Sequence, residues 1–595
     1  MRTNKHPLLN LATIAVFFLS AGNIKAQIKT AENSPAWVSK SDKYTQQLID
    51  LDIKYSPEYG SSQGLAKYDT QISVPTLATQ LAERKEKEAL VIRFLAAVKI
   101  EKETPVIQDL NILVNSMKLN FRQQDFETKR QVPFHNASSL IYSGLQILLD
   151  DQTPAERRAA AVTRIRKYAG MEKGYQPITD LLKARVIKQI AGKDMIYPSR
   201  QQMETELSRN ASIVNGISEL CQKYKLSGWE KPYAELKKQL EEYDLWVRDH
   251  VLIKARKDFR LPPEEYAMAL EGYGINIPPA EIAQMAHIAF TAIQNEMKPI
   301  AEEIAKKRNF SSTDYRAVIA ELKKEQIHGD SIIPLYERHL KDIEEIIRQH
   351  QLVTLPDRPA IIRLATAAET AQSPAPHMVP PPFLNNTGQR GVFVLPLNMP
   401  AAPGEKNPNK YDDFTFDAAS WTITAHEARP GHELQFDKMV EEGVSKARAI
   451  YAFNSTNAEG WGLYSEYITR PYMPLEGQLV SLDYRLLRAA RAFLDPELQA
   501  GKITQQQALE VLTQEVVQSK AFAQQEVERY TIKAPGQANS YFYGFTKMLA
   551  LRKDTEQALG TKFQALKFHD FILSQGLLPP ALIRDAVMKE FVPKQ

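Results

Sequence analysis

Residues 424–435 read T-A-H-E-A-R-P-G-H-E-L-Q and set two imidazoles, His426 and His432, around one carboxylate, Glu427. Two neutral imidazoles and a carboxylate from elsewhere make a three-donor zinc site with one position left open for water. A further carboxylate directly after the first histidine is then placed to take that water's proton. In the common H-E-x-x-H pattern the histidines are four residues apart, about 400° of helical rotation, and share one face. Here they are six apart, so an unbroken helix would point them about 240° away from each other. Pro430 and Gly431 lie between them. Proline lacks an N–H, and its ring clashes with the carbonyl four residues back, which is that of His426. Glycine adopts backbone angles closed to other residues. The pair predicts a bulge that opens the helix and swings His432 back toward His426.

Residues 457–466, N-A-E-G-W-G-L-Y-S-E, offer the third donor. Glu459 follows His432 at a distance that leaves room for a helix end, a turn and a return helix; a surface charge is its plain alternative. Glu466 lies two turns further along the same face. There it can accept a hydrogen bond from a ligand histidine and fix its tautomer, or serve as an ordinary ion pair. A third cluster, P-G-Q-A-N-S-Y-F-Y-G at 535–544, opens a helix with two phenols. Tyr541, with Tyr543 in reserve, is placed to donate to the oxyanion of a tetrahedral intermediate; packing of both rings is the alternative. Of the other histidines only His377, in a proline-rich loop, is a candidate for the cleft, against a structural or solvent role.

The elements that must position these groups read as mainly α. Residues 281–295 carry Ile282, Met285, Ala289 and Ile293 at helical spacing. Residues 561–575 are followed by Gly576, Pro579 and Pro580, a helix stop. Residues 77–98 are rich in strong helix formers. The best strand signal is 391–397, G-V-F-V-L-P-L, where Pro396 predicts an edge strand. Residues 373–382 and 400–413 read as surface loops.

Composition excludes several classes. With 43% hydrophobic and 25% charged residues over 595, the chain has the balance of an ordinary globular protein. Residues 1–26 have a basic start, an apolar run and a small residue at Ala26, the layout of a cleaved signal peptide. Loss of Arg2, Lys5 and Lys25 takes the net charge from +4 to +1, which argues against nucleic acid and, after cleavage, against an anionic membrane. The one cysteine, Cys221, reads as a buried small hydrophobe. No cysteine near residue 26 offers a lipid anchor, and a large exported chain without disulfides fits the periplasm. The chain divides near residue 360, into an N-terminal helical region (27–360) and a C-terminal catalytic region (361–595).

The three clusters together resemble the bacterial family DUF885, which carries H-E-x-x-P-G-H, then E-G-W-x-x-Y-x-E, then P-G-Q-x-x-x-Y-x-x-G. The resemblance runs from about residue 45, where Ser56 to Gly60 matches an early segment, to the C-terminus. Glu433 departs from it, since the family often has histidine there. The family is similar in architecture to the helical zinc peptidases typified by neurolysin, angiotensin-converting enzyme and thermostable carboxypeptidases. That similarity implies Zn²⁺ on His426, His432 and Glu459, Glu427 as general base, and a channel between helical halves that admits short peptides. It also implies that Gly391, Val392 and Phe393 align a peptide backbone along an edge strand. An exported zinc peptidase is therefore the leading expectation. A metal-dependent amidase on wall-derived or other non-peptide amides is one rival; a non-catalytic peptide binder on the same scaffold is another. Oligomeric state and cleavage mode are not legible.

Overall fold

Helix α1, Pro279–Arg308, shows how local rules build this molecule. Pro279 occupies the first turn, where a missing N–H is harmless. Ile282, Ala286, Ile293, Met297, Ala301 and Ile304 fall on one face and are all buried. Asn309 ends the helix in the left-handed conformation at φ 54°. The buried face packs along α6, Leu475–Gln499, a helix enclosed on nearly every side.

The structure is a computed structural model that describes residues 35–366, 369–370, 373, 375–397 and 412–595. Residues 1–26, read above as a signal peptide, and most of the 400–413 loop lie outside the described residues. Among the described residues the chain is almost entirely helical, with one small sheet. Helices Ala36–Tyr55, Leu77–Ile100 and Thr104–Arg130 pack as a group at the N-terminal end. Residues 132–255 enclose a separate apolar core around Tyr142, Tyr168, Met203 and Leu236, and the buried Cys221 belongs to it. The largest core draws on residues from Tyr266 to Tyr543 and so runs across residue 360. No described helix is long and apolar enough to cross a membrane.

Six further helices carry or brace the motifs: α2 (Ile332–Gln349), α3 (Asp417–Glu427), α4 (His432–Glu441), α5 (Ser455–Thr469), α7 (Lys520–Glu528) and α8 (Asn539–Leu559). Helix α3 packs against α2, α5 and α6, and α5 lies along α8. The α5–α8 contact is made backbone to backbone at two glycines. A Cβ on Gly544 would stand 2.0 Å from the Thr456 carbonyl oxygen, and one on Gly460 would stand 2.7 Å from the Gly544 carbonyl carbon. Two motif glycines therefore set the distance between the helix that carries Glu459 and the helix that carries Tyr541.

The sheet corrects the edge-strand expectation. Strands β1 (Ile361–Leu364), β2 (His377–Val379) and β3 (Val392–Leu395) are ordered β1-β3-β2. Strand β3 is central: Ile361 pairs with Val392 in parallel, and His377 pairs with Val394 in antiparallel. Pro396 lies one residue beyond the strand, so its missing N–H removes no ladder bond. Both edges of β3 are occupied, and no peptide can add to it. Gly391 instead donates its N–H to Asp437 Oδ1 at 2.8 Å. Phe393 is wholly buried against Tyr336.

Candidate metal centre

The helix does not bulge between the histidines; it stops and restarts. Glu427, one residue after His426, ends α3 and His432 begins α4. Between them the Arg429–Pro430 bond is cis, and Gly431 packs so tightly that a Cβ there would lie 1.9 Å from the His426 carbonyl oxygen. Arg429, 1% exposed, anchors the break. Its Nε donates to Glu433 at 2.9 Å, its Nη1 to Glu344 at 2.5 Å, and its Nη2 to the Arg358 carbonyl at 2.9 Å. Glu433, the departure from the family pattern, is thus the partner of Arg429 and also of Arg358. From the other side Trp461 donates its indole N–H to the Pro430 carbonyl at 2.9 Å. Gly462 leaves room for the His426 ring, whose Cε1 would lie 2.5 Å from a Cβ there. The second motif therefore braces the first.

The break brings three donors together. His426 Nε2 lies 3.3 Å and His432 Nε2 3.4 Å from Glu459 Oε2, and all three atoms fall within 4.8 Å of one another. These separations are long for N–H···O hydrogen bonds, which run about 2.7–3.2 Å. They suit donors at about 2.0–2.1 Å from a common tetrahedral centre, whose mutual spacing is about 3.3 Å. The two rings stand nearly perpendicular, with centroids 4.6 Å apart, so they approach one point from different directions. The donor set of two imidazoles and one carboxylate fits zinc.

Electrostatics agree with that fit. Burial alone would push the His426 imidazolium down, but hydrogen bonds to Glu459 and Glu466 hold its pKa up at about 9. Burial also opposes the Glu459 charge, yet the two imidazoles keep its carboxyl well below the usual range. The triad is a charge-paired cluster in which a divalent cation would satisfy the same carboxylate in place of a ring proton. Glu466 accepts from His426 Nδ1 at 2.7 Å and from the Thr422 hydroxyl at 2.6 Å, with Arg488 at 3.4 Å. That fixes Nε2 of His426 as the free donor. His432 Nδ1 is buried and finds no such acceptor.

Glu427 and Tyr541 line one cavity of about 50 Å³ with His426. The Tyr541 ring lies parallel to His426 at 6.3 Å between centroids. Tyr543 faces elsewhere: its hydroxyl donates to Asn276 and its ring belongs to the large core. His377 and Val392 line a different cavity of about 420 Å³, with His377 Nδ1 2.9 Å from the Ala375 carbonyl. That cavity and a third of about 580 Å³ hold none of the three donors. Three residues with no motif also reach the small cavity: Arg488, Arg491 and Arg529. A signal for two of them was present, since Arg488 and Arg491 sit three apart in an otherwise apolar stretch of α6. Nothing in the sequence singles out Arg529.

The family model described as a bacterial protein of unknown function, DUF885, matches residues 57–587. Two solved structures share the fold. One is a candidate lipoprotein of unknown function from Shewanella oneidensis, with TM-score 0.68 and 18% identity, covering 93% of this chain and 100% of that one. The other is a candidate lipoprotein from Colwellia psychrerythraea, with TM-score 0.72 and 17% identity, covering 94% and 99%. A comparison with curated proteins returns no match.

Proposed function

This chain belongs to the DUF885 family, and from that premise we propose that it is an exported, zinc-dependent peptidase acting on short peptides. The observation that carries the reading is the donor triad, with Glu459 Oε2 at 3.3 and 3.4 Å from the two imidazoles and all three donors within 4.8 Å, and a carboxylate, Glu427, beside it and outside it. Export is supported by the layout of residues 1–26 and by the two similar proteins described as candidate lipoproteins; the periplasm is the proposed site.

His426, His432 and Glu459 hold the ion. Zinc, when bound, supplies Lewis acidity and brings the pKa of water near neutrality. Glu427 takes the proton of the attacking water and returns it to the leaving amine. The Tyr541 hydroxyl, in the same cavity, donates to the oxyanion. Glu466 holds the His426 ring in its tautomer.

The test is metal content with activity. The purified protein is expected to hold one zinc per chain and to cleave members of a short-peptide library; His432→Ala is expected to hold none and cleave none. A metal-free wild type would end the reading, and bound zinc with no cleavage would leave a peptide binder or an amidase of other substrates. Glu466→Ala is expected to weaken zinc about 10- to 100-fold in a chelator competition, because the His426 ring loses its acceptor. Unchanged affinity would reduce Glu466 to an ion pair.

A further inference from the structure

The helix Leu77–Ile100 is apolar on two sides, and only one of them is covered. Leu90, Val91 and Phe94 are buried in a core shared with the helices Ala36–Tyr55 and Thr104–Arg130. On the other side Leu81 is 59% exposed, Ile92 70%, Leu95 37% and Ile100 80%. Ala82, Ala89 and Ala96 are exposed beside them. At about 100° of rotation per residue, Leu81 and Ile92 project within about 20° of each other, and Leu95 within about 60° of Ile92. A single exposed leucine is ordinary; a stripe of them along one helix marks an interaction face. The helix has 24 residues, which makes it about 36 Å long. Residues 81–100 line none of the cavities of about 50, 420 and 580 Å³.

The charges on this helix are sorted. Each of its acids is engaged: Glu83 with Lys87 at 2.6 Å, Glu86 with Lys54 at 2.7 Å, and Glu88 with Arg84 at 2.6 Å. Lys85, Arg93 and Lys99 are exposed and make no ion pair among the described residues. Lys85 and Lys99 each project within about 20° of Ile92, inside the apolar stripe, and Arg93 borders it. The face therefore joins aliphatic side chains to unmatched cations, the composition of a helix that lies on an anionic lipid surface. A second copy of the chain is a poor occupant, because a two-fold interface sets one patch against itself and would bring the cations together. A peptide docks in a groove, and none of those cavities opens on this convex face. The net charge of +1 left after loss of residues 1–26 argues against an anionic membrane for the molecule as a whole. It does not describe a face whose acids are paired and whose cations are not.

We propose that the outer face of this helix docks the protein on a bilayer that contains anionic lipid. Leu81, Ile92, Leu95 and Ile100 enter the boundary between headgroups and acyl chains, while Lys85, Arg93 and Lys99 reach the lipid phosphates. The docking is peripheral and reversible, since one helix face inserts few side chains. It is independent of the metal centre and of the peptidase reading.

The experiment is co-sedimentation of the purified protein with extruded vesicles, either an equimolar mixture of phosphatidylglycerol and phosphatidylcholine or phosphatidylcholine alone. The protein is expected to bind the anionic vesicles at least about tenfold more tightly than the neutral ones, and to lose that preference as salt is raised. The triple variant Lys85→Gln, Arg93→Gln, Lys99→Gln is expected to lose about 100-fold on anionic vesicles, at roughly fivefold for each basic residue. The double variant Leu81→Ser, Ile92→Ser is expected to lose about tenfold or more on the same vesicles. Leu245→Ser, at a residue 62% exposed on the separate helix Glu230–His250, is expected to change nothing. All the substituted side chains are exposed, so each variant should keep the wild-type thermal midpoint. Residues 1–26 are treated alike in every sample, so differences between variants report the helix face. Equal affinity for both vesicles, or affinity unchanged in either multiple variant, would overturn the proposal. Binding to neither vesicle would overturn it too; a wild-type dimer that Leu81→Ser, Ile92→Ser splits in sedimentation velocity would then give the face to a second copy, and a monomer would give it to an acidic protein.

Discussion

Glu427→Gln is expected to keep its zinc and lose turnover by about 10²- to 10⁴-fold. Glutamine matches glutamate in shape, so the cavity it shares with His426 and Tyr541 keeps its walls. The three donor atoms belong to His426, His432 and Glu459, and removing the Glu427 charge takes nothing from them. What disappears is the only carboxylate lining that cavity among the described residues, and with it the acceptor for the proton of the attacking water. The loss should fall on kcat with KM little changed, since proton transfer is made in the transition state and not in binding. Glu459→Gln provides the contrast. It is half-surrounded by the two imidazoles, and its loss should empty the site. Metal analysis and steady-state kinetics on the two variants separate the roles. A Glu427→Gln protein with near-normal rates would remove this residue from the chemistry.

How much of this was legible beforehand differs by element. The donors were readable because His426, His432 and Glu459 must converge if they bind at all, and Pro430-Gly431 announced how the chain would turn. The form of the turn was not readable. A bulge and a full helix break differ in what holds the ends apart, and here Arg429, Glu344 and Trp461 hold them from three separate helices or their edges. Such partners are long-range, and spacing along the chain says nothing about them. The choice between Tyr541 and Tyr543 was in principle readable. Two residues are about 200° of helical rotation, so only one of the pair can face the site while the other enters the core, as observed.

The sheet failed for a different reason. Pro396 was a sound local signal, but β1 and β2 are strands of four and three residues, one of them set among prolines. Their pairing with β3 is decided by burial of Phe393 and Leu395 in the large core, a tertiary effect. The arginines show the reverse case. Charged residues at helical spacing inside an apolar run indicate a buried polar need, and residues 486–494 of α6 displayed two of them, Arg488 and Arg491. The third, Arg529, joins from beyond α7, and only packing brings it to the same cavity.

Gly431→Ala is expected to be severely damaging, since it makes the shortest contact of any described glycine. The added carbon would stand 1.9 Å from the His426 carbonyl oxygen, 2.5 Å from that of Ala425, and 2.5 Å from the His426 carbonyl carbon. All three are backbone atoms of the last turn of α3, so no side chain can rotate out of the way. The turn itself must move, and it carries His426. Three attachments resist that movement: Glu466 on the ring, Arg429 on the following loop, and Trp461 on Pro430. Overpacking a dense site costs about 1–3 kcal/mol where neighbours can yield, and here they cannot, so the loss should reach about 3 kcal/mol or more. A Gly174→Ala control, at a left-handed turn with no atom within 4 Å of the new carbon, should show only the smaller backbone penalty. The measurements are denaturant midpoint and zinc content on each variant. Zinc should fall with stability in Gly431→Ala and stay whole in Gly174→Ala. A stable, fully loaded Gly431→Ala protein would mean that His426 and His432 do not depend on this break to meet.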